Sequence, residues 1–136
     1  MHRLVAAALI VACLGCATTQ SVGTTTTIYT DRDRLWLAAQ GALQDIGARI
    51  VVSNRSTGTL VGRLDVEGTP IELTVSISGS PAPGERFEGY WDVNVRGALV
   101  GDSAPDEEWQ RRLTYFEDQV MERVNAAALT GGRYVR

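Results

Sequence analysis

The sequence predicts a single α+β domain. It reads as a two-layer sandwich, an antiparallel sheet of four to five strands with two helices on one face, in the order (β)-α-β-β-β-β-α. Three observations predict it. Two segments repeat apolar residues at three- and four-residue spacing, which gives a helix one buried stripe. Between them, several short segments alternate apolar and polar residues, the period of a strand with one wet face. The links between those strands are too short for the crossover that a parallel pair needs, so neighbours run antiparallel. Packing both helix stripes on the apolar sheet face buries all of this surface in one core.

The chain opens with MHRLVAAALIVACLGCATTQ. A basic start (His2, Arg3) runs into an apolar core (Leu4 to Leu14) and ends at a cysteine among small residues, the order of a secretory signal. That core is about half the length needed to span a bilayer as a helix. The segment resembles a bacterial lipoprotein signal, with Cys16 as the lipidated residue and Cys13 as the alternative. Cys13-Leu14-Gly15-Cys16 has the usual Gly-Cys junction, whereas Ile10-Val11-Ala12-Cys13 fits the lipobox better residue by residue but leaves a shorter signal. The resemblance implies cleavage before the cysteine and its acylation, by palmitate among other chains. Two or more chains hold a protein stably on a membrane. Residues 1–15 are then the signal, 16–27 a flexible tether and 28–136 the domain, at the outer membrane and facing the periplasm.

Residues 17–27 are small, polar and Thr-rich, a tether by composition. Thr24 to Tyr29 also reads as a β-branched edge strand. A helix starts at Thr30 or Asp31, with Asp31 and Asp33 opposing the positive end of its dipole. Trp36, Ala39, Leu43 and Ile46 form its stripe, and Gly47 stops it. Arg49 to Ser53 is a strand, Asn54 to Gly58 a turn. Leu60, Gly62, Leu64 and Val66 then alternate with Val61, Arg63, Asp65 and Glu67, and Ile71, Leu73, Val75 and Ile77 alternate more cleanly with polar positions after Pro70, which suits the start of a strand. Gly79 to Arg86 reads as a loop. From Phe87 to Leu99, residues Phe87, Gly89, Trp91, Val93 and Val95 point one way and Tyr90, Asp92, Asn94 and Arg96 the other. The last helix is capped at Ser103 or Ala104, has Pro105 in its first turn and ends at Gly131-Gly132. Its stripe is Trp109, Leu113, Phe116, Val120 and Val124, with Glu107/Arg111 and Glu108/Arg112 as exposed i,i+4 pairs. Trp36, Trp91, Trp109 and Phe116 are expected to fill the core between sheet and helices.

The chemistry on offer is narrow. Both cysteines and the only histidine lie in the first 16 residues, and there is no lysine. Past Cys16 the usual neutral-pH bases, nucleophiles and soft metal ligands are missing, so no catalytic residue, metal site or cofactor is assigned. The chain carries a net charge of −3, and no basic cluster forms a nucleic-acid footprint. Asp65, Glu67 and Glu72 flank a hairpin and form the only carboxylate grouping for glycan hydrolysis, a third-ranked reading. Arg32 and Arg34 are placed near the tether, with Asp31 and Asp33 offsetting their attraction to anionic headgroups. The interaction surface, for a protein partner or a glycan, falls on the polar sheet face, at Tyr90, Arg63, Asp92 and Arg96, with the exposed aromatic as the better binding clue.

Tyr29-Thr30-Asp31, the helix through Trp36-Leu37-Ala38-Ala39, Leu43 and Ile46-Gly47, and the turn Asn54-Arg55-Ser56-Thr57-Gly58-Thr59-Leu60 resemble a group of small, uncharacterised bacterial lipoproteins of the DUF3568-like kind. That group offers no catalytic residues to carry over. In element order the chain is also similar to the helix-grip modules of outer-membrane assembly lipoproteins, which by analogy implies protein binding. The expected function is therefore a non-catalytic binding or structural module of the cell envelope, with an envelope protein as partner. A binder of a small apolar ligand is the alternative.

Overall fold

The computed structural model describes residues 23–101 and 104–134. Strand β1 (Thr24–Asp31) leads into helix α1 (Arg32–Asp45). Strands β2 (Arg49–Asn54), β3 (Thr59–Val66), β4 (Thr69–Pro81) and β5 (Glu88–Leu99) follow, and the long helix α2 (Glu107–Tyr134) completes the fold. The five strands form one antiparallel sheet in the order β1-β5-β4-β3-β2. Strands β2 to β5 are a meander, and β1 returns to pair with its last member. Both helices pack on the same side, α2 against β5 and β1, and α1 against all five strands and α2. The α+β two-layer architecture expected from the sequence is the one observed.

Local chemistry sets the helix starts. The Asp31 carboxylate accepts from the N–H groups of Asp33 (2.8 Å) and Arg34 (3.4 Å), satisfying donors that have no partner inside the helix. Asp106 does the same for α2, accepting from the Trp109 N–H at 2.8 Å. The cap is thus Asp106 and not Ala104, because its short carboxylate sits three residues before the amide it receives; Ser103 lies outside the described residues.

The inner face of the sheet is a continuous apolar layer. Leu60, Leu73, Val75, Val93 and Val95 are fully buried under Leu35, Ala39 and Leu43 of α1 and Val120 and Val124 of α2. Ala38, Ala39 and Ala42 let α1 lie close to its neighbours. Where α2 crosses β5, a Cβ on Gly97 would lie 3.2 Å from the Leu113 side chain and 3.3 Å from Leu73, so glycine allows the helix to seat there. Trp91 is buried, and its indole N–H donates to the carbonyls of Thr30 (3.1 Å) and Phe87 (3.2 Å), tying β5 to the β1–α1 junction.

Several boundaries differ from expectation. Thr24 to Thr27 belong to β1, as the strand reading of Thr24 to Tyr29 expects and against a tether reaching residue 27, because they pair residue by residue with Val95 to Asp92. The Gly79 to Arg86 loop is shorter, since β4 continues to Pro81 opposite Gly89. Proline is tolerated there for a directional reason. Ala82 donates toward β5 (to Glu88 O, 2.8 Å) and Ile77 toward the β2–β3 turn (to Gly58 O, 2.8 Å), so the N–H that Pro81 lacks would face the side where β3 has ended. Phe87 is exposed, lying just before β5 begins. Trp36 and Trp91 are buried, but Trp109 and Phe116 are only partly so; Met121 and Ala128 share the stripe instead. Helix α2 also runs through Gly131-Gly132 to Tyr134.

Candidate functional site

The outward face of the sheet is polar and ordered in rows by the strand register. Tyr29, Tyr90 and Ser80 stand side by side across β1, β5 and β4. Next come Thr27, Asp92 and Ser78, then Thr25, Asn94 and Ser76. Arg96 and Thr74 follow, and Glu72 lies beside Arg63 at the far end. All four expected surface residues therefore share this face, but not one site. Tyr90 and Asp92 are neighbours; Arg63 lies about 25 Å away along the strands.

The two ends differ in chemistry. At one end the rings of Tyr29 and Tyr90 meet edge to face, with centroids 4.8 Å apart and planes at 61°. They remain 49% and 68% exposed. Beside them the Thr27 hydroxyl donates to the Asp92 carboxylate at 2.6 Å, and Asn94 donates to Thr25 Oγ1 at 2.8 Å. At the other end Arg63 donates to Glu72 at 3.2 Å, a cross-strand ion pair in solvent. Tyr29 was missed as a site residue because nothing in the sequence says that β1 pairs with β5; without that register its ring has no partner.

Two of the hairpin carboxylates are engaged by arginines: Glu72 is held by Arg63, while Glu67 accepts from Arg112 of α2, which also reaches Glu108 at 3.2 Å. The hydrogen bond that Arg112 donates to Glu67, with the attraction of both glutamates, raises the Arg112 pKa above its ordinary value. Among the described residues, no three His, Cys, Asp or Glu side chains gather into a metal-binding group. Arg32 and Arg34 follow the end of β1 opposite to Thr24, and Arg32 donates to the Arg55 carbonyl at 2.7 Å; the tether residues before Gly23 lie outside the described residues. Cys13 and Cys16 lie outside the described residues.

A second feature is a solvent-open hollow of about 430 Å³ between α2 and the end of β3, lined by Val66, Glu108, Arg111, Arg112, Tyr115 and Phe116. It lies outside the Trp36–Trp91 core. A buried carboxylate also escaped the sequence reading. Glu117 is 2% exposed, and it accepts the Gly97 N–H at 2.7 Å, just past the point where β1 begins opposite Val95. Its signal was a glutamate in helical register with Leu113, Val120 and Val124. No protein-family model matches the chain, and a search of curated proteins finds no relative.

Proposed function

We propose that the chain is a lipid-anchored, periplasm-facing module of a bacterial envelope that binds another envelope component on the outward face of its sheet and carries out no catalysis. The observation that supports it best is the exposed Tyr29–Tyr90 pair, held on two hydrogen-bonded strands. Large aromatic rings left in solvent on a rigid surface are what binding sites draw on, because ordering them costs little. The signal-like residues 1–16 supply the anchor in this reading. Strand β1 carries Tyr29 roughly 17 Å beyond Thr24 along the sheet.

Two measurements test this. Cys16→Ser is expected to abolish partitioning into a detergent phase while Cys13→Ser does not; the reverse assigns Cys13, and an unaffected double variant ends the lipoprotein reading. A photo-cross-linking residue in place of Tyr90, in intact cells, is expected to yield an envelope adduct that the same residue in place of Glu122, exposed on α2, does not. A second reading, a binder of small amphipathic ligands, draws on the α2–β3 hollow with its Tyr115 and Phe116 rings and arginine rim.

A further inference from the structure

We infer that the tyrosine end of the outward face binds a neutral glycan built from pyranoses with equatorial substituents. This rests on the reading of that face as a binding surface and names its ligand class. Such a sugar has two unlike sides: a flat face of C–H bonds and a rim of hydroxyls. The surface matches both. The electron-rich face of an aromatic ring attracts C–H groups and excludes water from them, and Tyr29 and Tyr90 offer exposed rings braced against each other at 4.8 Å. One row away, Thr27 fixes Asp92 through one carboxylate oxygen. A carboxylate has about four acceptor sites, so capacity remains for sugar hydroxyls. Ser78 and Ser80, both exposed, add groups that donate and accept. Their small size keeps the surface low, so an extended chain can lie across the strands.

Charge decides among the other ligand classes. The rows of Tyr90, Asp92 and Asn94 hold one charge, Asp92, and Glu88, the next outward position on β5, is also negative; Arg86 before β5 and Arg96 one row past Asn94 lie at the borders. Within the patch itself a phosphate or anionic headgroup meets no cation. A protein interface buries about 800 Å² a side around an apolar centre, whereas the apolar part of this end is two rings.

The test uses the full chain in amine-oxide micelles, which carry no sugar headgroup, titrated calorimetrically with chitohexaose and cellohexaose. Both are expected to bind. Tyr90→Ala and Tyr29→Ala are each expected to weaken binding by about tenfold, with thermal unfolding showing the variants still folded. Glu122→Ala, exposed on α2 and away from the sheet face, leaves affinity within about twofold. Absence of binding by either hexaose, or binding that both tyrosine variants retain, overturns the inference. A protein adduct from position 90 in cells, without hexaose binding, overturns the glycan and leaves the binding module standing. Neither adduct nor binding removes both.

Discussion

Along β5 the inward residues Trp91, Val93 and Val95 are at most 4% exposed, while outward Tyr90 is 68% exposed and Asp92 and Arg96 also face solvent. The two faces share a backbone but answer to different constraints. Inward side chains are enclosed by two helices at near-crystalline packing, so a change of volume is felt at once. Outward side chains touch only cross-strand neighbours, each contact contributing a fraction of a kcal/mol. The inner face thus sets stability, and the outer face is free to be chosen for binding. The proposed site lies where the fold constrains residue choice least.

The contrast breaks hardest at Trp91. Trp91→Ala leaves a cavity beneath the β1–α1 junction and strands the Thr30 and Phe87 carbonyls. A loss of about 3–5 kcal/mol is expected, read by urea denaturation. Next is Glu117, the polar exception within the helix layer. Glu117→Ala leaves the Gly97 N–H buried without an acceptor and is expected to cost about 1–3 kcal/mol, while Glu117→Gln retains an acceptor and costs less. Equal effects of the two variants would show that the hydrogen bond does not matter.

Thr30 sharpens the comparison from the other direction. Its hydroxyl is buried, on a side chain in a residue 7% exposed, and makes no hydrogen bond among the described residues. Thr30→Val removes an unpaired polar atom from a nearly unchanged shape. A gain of about 1 kcal/mol in stability is expected, seen as a higher melting temperature. A loss would mean that the hydroxyl has a partner.

The fold was legible because its strands alternate over long stretches and its helices carry clean stripes. Period two across Ile71 to Ile77 and Phe87 to Arg96 put Tyr90, Asp92 and Arg96 on the outward face without any coordinates. What stayed hidden depends on non-local pairing. That β1 lies beside β5, and so that Tyr29 meets Tyr90, is a choice among sheet orders that local pattern does not encode. Pro81 was misread because proline breaks a strand only where its amide is needed, and that direction is set by where β3 ends. Glu117 was hidden for a similar reason, since its partner lies on a strand twenty residues away in sequence. Phe87 shows the reverse error: its phase was apolar, but the ladder starts one residue later.

The smallest expected effect is at the opposite end of the outer face from the tyrosines. Arg63 and Glu72 pair at 3.2 Å with side chains 45% and 30% exposed. Water solvates both charges, and holding two long side chains together costs entropy, so a double-mutant cycle with Arg63→Ala and Glu72→Ala is expected to give a coupling of about 0.2–1 kcal/mol that falls with added salt. Cross-strand Arg49 enters here as well, since it lies directly opposite Arg63 with like charge. Removing Arg63 relieves that repulsion, so the single variant is expected to change stability by less than about 0.5 kcal/mol. A coupling above 2 kcal/mol would mean that the ion pair is shielded from solvent, and the outer face would then contribute to stability as the inner one does.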